Sequence, residues 1–275
     1  MIIGRLDRNN LIFLASVIMA NDTIYVMINS NLLHQWKIDE KAHFEGWDFS
    51  YLKSRFKEKK PNWDYISLAK PLVQQATSLL DMATGGGEVF SQLAPFPKHT
   101  YAIEGWHPNV ALAKKRLAQL GVTVIEADGA HRLPFKDSEF DLVVNRHGGY
   151  NVDQLKRIIR SQGQFFTQQV GGDNLKDLEE FFDNRPKWPF NTLEHRIPEF
   201  EKHGFTIINS KKWSGIVTFF DVGAIIYFLK AIPWIVNDFS VNTHLPYLEK
   251  MQKKLDKGEK LQFIYTRHLI HAKRN

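Results

Sequence analysis

Residues 78 to 88 read Ser78-Leu79-Leu80-Asp81-Met82-Ala83-Thr84-Gly85-Gly86-Gly87-Glu88. An apolar run that ends in an acid and then breaks into glycines predicts a buried strand and a tight turn, with a helix beginning near Glu88. Glycines 85 to 87 lack a Cβ, so the backbone can adopt positive φ and a ligand can approach the main chain closely. The first N–H groups of the following helix would point at the same place. The segment therefore predicts a nucleotide-binding turn, and a purely structural strand-to-helix turn is the alternative.

Two further strands end in acids at the intervals that this interpretation requires. Residues 100–104 predict one strand, ending in Glu104, and residues 122–128 predict the next, ending in Asp128. A carboxylate such as Glu104, beside a glycine turn, typically accepts hydrogen bonds from two ribose hydroxyls. Strands and helices alternate from residue 77 to 172, which indicates a doubly wound parallel sheet that binds ligands beyond the carboxyl ends of its strands. The three acids therefore outline one ligand.

Taken together, these segments resemble the class I S-adenosylmethionine-dependent methyltransferases, in particular the type 11 methyltransferase domain. The first motif of that family, an acid followed by spaced glycines, stands here as Asp81-x-Ala83-x-Gly85-x-Gly87. Residues 127–135 and 140–144 resemble its third and fourth motifs. The resemblance covers about residues 75 to 172 and implies a seven-stranded, mostly parallel, Rossmann-like α/β sheet. Ala83 departs from the pattern, because the family has a glycine at that position.

The resemblance also implies S-adenosyl-L-methionine as the cofactor, together with residues that would bind it. Asp81 and the glycines of the turn would surround the amino-acid end, Glu104 would hold the ribose, and Asp128 would meet the adenine. The implied cofactor-binding residues are Asp81, Ala83, Thr84, Gly85, Gly87, Glu104, Gly105, Asp128, Gly129 and Asn145.

A dinucleotide-binding dehydrogenase is the main competitor, and the glycine spacing argues against it. After Gly85-x-Gly87 that fingerprint needs a third small residue at position 90, where helix and strand pack closely. This chain has Phe90 there. The acid that precedes the turn, Asp81, is also typical of the methyltransferase pattern.

Composition sets broad limits on the class of protein. The chain has 275 residues, of which 43% are hydrophobic, so it can bury a core and suits one large domain or one domain with a cap. A formal charge of +6 favours a polyanionic partner without requiring one. The absence of cysteine excludes disulfides and thiolate metal sites and fits a reducing, cytoplasmic location. No histidine and carboxylate grouping has metal-ligand spacing, so no metal is expected.

The first part of the chain is difficult to interpret. Residues 11–20 form an apolar run after Arg5 and Arg8, too short to span a bilayer, and we expect no stable membrane insertion. We expect residues 1–28 to be a non-core extension, and a cleaved signal or a weak membrane-surface anchor are the alternatives. Residues 29–76 predict a helical lead-in, in which Phe44, Trp47 and Tyr65 either shield the cofactor or simply pack a helix on the sheet.

Beyond residue 173 the pattern changes. The core is expected to extend to residue 213, and a final strand is expected over residues 259–275. Residues 214–258 separate these last two strands, which the family usually joins by a short hairpin, so they predict an inserted helical cap. We hypothesise that this cap lies over the strand ends and shapes the acceptor pocket. A helix that completes the hydrophobic core is the alternative.

The chemistry expected at such a site needs few side chains. Methyl transfer from a sulfonium is an in-line displacement, so holding donor and acceptor in a dry pocket supplies much of the catalysis. His147, in Asn145-Arg146-His147-Gly148-Gly149-Tyr150, is the candidate general base, with an orienting or capping role as the alternative.

The sequence predicts a cytoplasmic methyltransferase with a small-molecule acceptor. RNA is the alternative acceptor, although the fourth strand lacks the Pro-Pro-Tyr pattern of exocyclic-amine methylation on nucleic acid. A noncatalytic S-adenosylmethionine-binding regulator is the third possibility. The sequence does not indicate an oligomeric state.

Overall fold

The structure, a computed structural model, describes residues 30–275, so the predictions for residues 1–28 lie outside the described part. The strands within residues 30–275 are β1 (Phe56–Glu58), β2 (Ser78–Met82), β3 (His99–Glu104), β4 (Thr123–Glu126), β5 (Phe140–Arg146), β6 (Ile159–Val170), β7 (Phe205–Phe219) and β8 (Leu261–Arg274). The α helices of the same part are α1 (Ser30–Lys41), α2 (Tyr65–Gln75), α3 (His107–Leu117), α4 (Val152–Ile158), α5 (Lys176–Phe181), α6 (Leu193–Lys202), α7 (Val222–Ala231) and α8 (Leu245–Asp256).

All eight of these strands form one sheet in the order β1-β7-β8-β6-β5-β2-β3-β4. Strands β2 to β6 run parallel, and β8 is antiparallel to both of its neighbours. The predicted Rossmann-like, mostly parallel α/β fold is confirmed. The sheet has one strand more than the seven expected, because β1, inside the predicted helical lead-in, pairs with the end of β7 through Phe56 and Phe219.

The two faces of the sheet carry separate cores, as expected for central strands that are buried on both sides. Leu79 and Val144 face α2 and α3, whereas their neighbours Leu80 and Val143 face α4 and α6. This alternation follows from the two-residue period of a strand. Strand β2 is buried at all five positions, which agrees with its uninterrupted apolar sequence.

One buried carboxylate fixes how the two central strands pair. Asp141 at the start of β5 accepts hydrogen bonds from the backbone N–H groups of Thr77 (2.8 Å) and Ser78 (2.9 Å) at the start of β2, and from both of their hydroxyls. Arg160 at the start of β6 donates to the same carboxylate at 2.9 Å. These bonds set the register in which Asp81 stands opposite Val144 and Met82 opposite Asn145.

A third core lies past the carboxyl end of the central strands. Strand β6 ends at Val170, opposite Arg267, but β7 and β8 remain paired for six further residues each, 214–219 with 261–266. Helices α1, α5 and α8 pack on this hairpin arm around α7, in which every residue except Lys230 is buried. We call this assembly of the arm and its helices the lobe. The insertion expected from residue 214 begins instead after Phe219, because β7 is longer than predicted.

An ion-pair network ties the lobe together. Arg55, just before β1, donates to Asp39 of α1 at 2.8 Å and to Asp221, the N-cap of α7, at 2.5 and 2.9 Å. Asp39 is fully buried, so its charge needs this partner. Segments from the lead-in and from the insertion therefore meet in one unit.

None of the helices between residues 30 and 275 combines the length and the apolar character that crossing a lipid bilayer requires.

The Asp141 bonds make a prediction for stability at low pH. Burial by itself would raise the pKa of Asp141, but the Thr77 and Ser78 hydrogen bonds outweigh it and hold that pKa below its usual value. A carboxylate with a lowered folded-state pKa stabilises the fold above its unfolded-state pKa of about 4 and loses that contribution as pH falls. We expect Asp141→Asn to destabilise the protein by about 2 kcal/mol at pH 7 and less at pH 3.

Urea unfolding at both pH values measures this difference. Asp137→Asn is the matched control, since the Asp137 side chain is 80% exposed and its only ion pair within residues 30–275 is with Arg157. Equal losses at pH 7 for the two variants would contradict the role given to Asp141.

Candidate active site

The glycine turn follows β2 and takes the conformation that its sequence predicts. Ala83, Gly85 and Gly87 have positive φ values of 59°, 63° and 83°. The prediction of a helix beginning near Glu88 is wrong, because only a short 3₁₀ turn, Phe90–Leu93, follows the glycines. In the described part of the chain, no long helix therefore begins directly after the turn with its N–H groups pointing at it.

Helix α3 supports the turn instead. Arg116 donates through Nη1 to the carbonyl of Gly86 and pairs with Glu88 at 2.5 Å. Leu117 lies so close to Gly87 that an added Cβ there would fall 2.9 Å from its Cγ. Sequence reasoning missed Arg116, because its contact with the turn depends on how α3 packs on β3 and β4 beside the turn.

Glu104, at the end of β3, joins the turn to the next strand. Its Oε2 accepts from Gly85 N at 2.6 Å, and its Oε1 accepts from Trp106 N at 2.7 Å. Burial raises the pKa of Glu104, and these backbone hydrogen bonds partly oppose the shift. The carboxylate is therefore rigidly placed, 6% exposed, beside the glycines.

Asp81 is the buried acid at the end of β2. Burial raises its pKa to about 8, the negative charge of Glu104 adds to the shift, and the Thr84 hydroxyl opposes it. That hydroxyl is buried and makes no hydrogen bond of ordinary length within residues 30–275. At neutral pH the carboxyl of Asp81 is therefore largely protonated, and a cationic ligand would favour its ionised form.

The loops after β4 and β5 cross closely at the same edge. A Cβ on Gly129 would lie 2.6 Å from the carbonyl oxygen of Gly149 and from Cε of Met82, and one on Gly105 would lie 3.3 Å from Cα of Asp128. Asp128 accepts from Ala130 N at 2.9 Å and contacts His131 Nδ1 at 3.0 Å, so its side chain bends back on its own loop. The predicted cofactor-binding residues are thus neighbours at one edge of the sheet.

Asn145 anchors the end of β5. Its side-chain amide donates to the carbonyl of Met82 at 3.1 Å, and its Oδ1 accepts from Thr167 at 3.0 Å and from Gln169. The hydroxyl of Tyr65 lies 3.5 Å from the carbonyl oxygen of Asn145. Asn145 is fully buried and holds three strand ends together.

His147 is the first residue after β5 and is held in a defined tautomer. Trp63 Nε1 can only donate, and it donates to Gln168 Oε1 at 2.8 Å, so the Gln168 amide nitrogen faces His147 Nε2 at 3.1 Å. His147 Nε2 therefore accepts, and the proton of the neutral ring sits on Nδ1. Although solvent reaches the residue, the surrounding protein, followed by the charges of Arg146, Arg267 and His268, lowers the pKa of His147 well below its usual value.

An aromatic cover lies over the turn. Trp47, from the segment after α1, is so close to Gly85 that an added Cβ would fall 2.8 Å from its Cδ1. Its ring is 6.1 Å from that of Trp234 in the lobe, and Trp234 is 6.3 Å from Trp188. Of the three aromatic residues expected to shield the ligand, Trp47 and Tyr65 reach the site, whereas Phe44 packs against Tyr227 in the lobe.

Comparison with known proteins bears on this arrangement. A family model described as a methyltransferase domain matches residues 80–165, the stretch that contains β2 to β5 and the turn. This stretch of the chain is therefore a methyltransferase domain. The predicted family and the predicted donor are confirmed. No curated protein matches the sequence.

Solved structures of similar fold support the same architecture. A candidate methyltransferase from Bacillus halodurans aligns with a TM-score of 0.54 at 16% identity, covering 76% of this chain and 98% of its own. The YcgJ protein from Bacillus subtilis aligns with a TM-score of 0.53 at 16% identity, covering 77% of this chain and 98% of its own. A functionally unknown protein from Deinococcus radiodurans aligns with a TM-score of 0.56 at 14% identity, covering 80% of this chain and 90% of its own. At these identities the similarity establishes the fold alone.

The departure of this methyltransferase at Ala83 has a structural counterpart. The Ala83 methyl fills the space that a Cβ on Gly148 would need. We expect Gly148→Ala to destabilise the protein by about 2 kcal/mol, and by at least about 1 kcal/mol less when Ala83→Gly vacates that space. Urea unfolding of the two single variants and the double variant measures this coupling.

Gly149→Ala is the control, because its Cβ would make an ordinary 3.6 Å contact with Ala130. Additive effects of Ala83→Gly and Gly148→Ala would show that the two positions do not compensate each other.

Proposed function

We propose that this methyltransferase transfers the methyl group to a small-molecule acceptor held between the strand ends and the lobe. The observation that carries the proposal is that the loops after β2, β3, β4 and β5 meet at one sheet edge, which the arm of β7 and β8 extends past. In open sheets of this type the ligand lies at that edge. Trp47, from the segment after α1, and Trp234 of the lobe lie beside this edge, which favours an enclosed acceptor over an extended polymer.

The residues at this edge fit the donor. Asp81 is a buried carboxyl, the buried Thr84 hydroxyl has no hydrogen-bond partner within residues 30–275, and Gly85 gives the turn beside them a positive φ. A buried acid whose pKa is raised to about 8 suits a ligand that brings an ammonium group. Bound S-adenosylmethionine would supply an electrophilic methyl group on its sulfonium.

In this proposal each strand end holds one part of the donor. Asp81, with Ala83, Thr84, Gly85 and Gly87, binds the amino-acid end. Glu104 accepts from the ribose hydroxyls through the lone pairs that Gly85 and Trp106 leave free, and Gly105 keeps the approach open. Asp128 and Gly129 meet the adenine, and Asn145 fixes the backbone near the reacting methyl group. Exclusion of water by the aromatic cover would favour the in-line displacement.

The role of His147 follows from its tautomer. A neutral imidazole is ready to take a proton, but its Nε2 is engaged by Gln168 and two arginines oppose its protonation. We therefore propose that His147 first orients the acceptor through Nδ1–H. It would act as a base only if a bound acceptor displaces Gln168 or compensates the nearby positive charge.

Donor binding should be linked to proton release. In the free protein Asp81 is protonated below about pH 8, and an ammonium ligand lowers its pKa, so binding releases a proton and affinity rises with pH towards 8. Calorimetric titration with S-adenosylhomocysteine, in buffers of different ionisation enthalpy, measures this release. We expect Asp81→Asn to abolish it and Glu104→Gln to weaken binding by at least about tenfold, or 1.4 kcal/mol.

Glu126→Gln is the matched control, because Glu126 ends the neighbouring strand β4 opposite Glu104, but its side chain is exposed and its only ion pair within residues 30–275 is with His107. Unchanged affinity and proton release in Asp81→Asn would refute the assigned donor site.

The acceptor class can be tested directly. Protein supplied with radiolabelled methyl donor and a fractionated cell extract should label the small-metabolite fraction. Label in RNA would favour the alternative acceptor, with binding that weakens steeply as salt rises. Tight donor binding without label in any fraction would instead indicate a noncatalytic regulator.

A further inference from the structure

Two arginines near the proposed acceptor site lack the partners that buried arginines normally have. Arg146 is the last residue of β5 and is only partly exposed, and Arg267 of β8 is 8% exposed. Within residues 30–275 neither forms an ion pair with a carboxylate at 4.0 Å or less. A guanidinium cannot lose its charge in a protein, so burial of this kind is costly unless an anion compensates it.

Their present contacts leave most of the donors unused. Arg267 donates through Nη1 to Asn174 Oδ1 at 2.9 Å and to the carbonyl of Thr266 at 2.7 Å, and its guanidinium lies 3.9 Å from the Tyr265 ring centroid. Arg146 donates no hydrogen bond to any residue of the described part of the chain.

The acids nearby form no ion pair with the two arginines within residues 30–275. Asp173 lines a small cavity with Arg267, but its Oδ1 accepts from the Thr266 hydroxyl at 2.7 Å. The negative charge of Glu58, on the exposed edge strand β1, raises the pKa of Arg146 and that of Tyr265. Burial lowers the pKa of Arg146, and the charge of Arg267 adds to that shift.

The strand register places both side chains on one face, next to the donor site. Arg146 pairs with Gln168, and Arg267 pairs with Val170, two residues further along β6. Since residues two apart in a strand face the same way, Arg146 and Arg267 share a face of the sheet. Asp81 faces the same way, because its partner Val144 is two residues before Arg146.

We infer that Arg146 and Arg267 bind an oxyanion, a carboxylate or phosphate, carried by the methyl acceptor. The planar guanidinium matches both groups with paired N–H donors. This inference rests on the proposed function and names the chemical class of its acceptor. The anion would lie beside His147 and would offset the positive charge that now disfavours protonation of the imidazole.

Titration of the protein saturated with S-adenosylhomocysteine tests the inference. The probes are benzoate and inorganic phosphate, whose comparison tells carboxylate from phosphate recognition. We expect one of them to bind with a Kd on the order of millimolar, and Arg146→Gln and Arg267→Gln each to weaken it at least about tenfold. Arg146→Lys should restore part of the affinity, and Arg132→Gln, an exposed arginine, should leave it unchanged.

A second readout uses only the wild-type protein, so it does not depend on whether a variant folds. In the wild-type protein the imidazole pKa of His147, followed by NMR, should rise when the anion binds and should not respond to chloride. A separate comparison uses 5′-methylthioadenosine, which lacks the amino-acid end of the donor. If Arg146→Gln weakens S-adenosylhomocysteine but not 5′-methylthioadenosine, the arginine serves the donor carboxylate and the inference fails.

Failure of the inference is distinguishable from failure of the proposed function. Absence of S-adenosylhomocysteine binding would refute the donor site itself. Normal binding of S-adenosylhomocysteine, with no binding of either anion or with equal binding to Arg146→Gln, would overturn only the inference. Binding of single-stranded RNA that Arg146→Gln weakens, without binding of benzoate or phosphate, would also overturn it and would favour a polymer.

Discussion

The pairing of β2 with β5 is the constraint on which the site depends, and Asp141 enforces it. A slip of one residue would turn every side chain of β2 to the other face of the sheet. Asp81 would then point away from Tyr65 and Arg146, and Asn145 would lose the carbonyl of Met82. The bonds from Thr77 and Ser78 are made at the amino ends of these strands, yet they determine which groups meet at the opposite ends.

Much of the fold was predictable because its signals are local. In parallel strands the residue after the apolar run lies at the sheet edge, so Asp81, Glu104 and Asp128 could be placed together from sequence alone. The prediction of a helix at Glu88 was wrong, although the sequence contained a signal against it. Pro95 and Pro97 follow closely, and a proline disfavours helical geometry in the residue before it. The contacts of Arg116, Gln168 and Arg267 were out of reach, because they depend on the register of strands distant in sequence.

Several unfavourable features of the described residues lie at the proposed site. Ala83 and His147 adopt positive φ, which side chains other than glycine adopt at a cost. Asp81 is buried where its charge is disfavoured, and Arg146 has no hydrogen-bond partner in the described part of the chain. The two electrostatic costs, at Asp81 and Arg146, can be offset by a ligand group of opposite charge, so these residues would stabilise the complex more than the free protein.

The lobe has a core of its own, distinct from the two cores that flank the sheet. The residues proposed to hold the donor belong to the strand ends, whereas the aromatic wall formed with Trp234 belongs to the arm and its helices. Substitutions at Trp234 can therefore change the acceptor pocket while the strand-end residues proposed to hold the donor stay the same. Descendants of such a scaffold are free to exchange one acceptor for another while keeping their chemistry, which makes the hairpin arm the natural place to engineer a new selectivity.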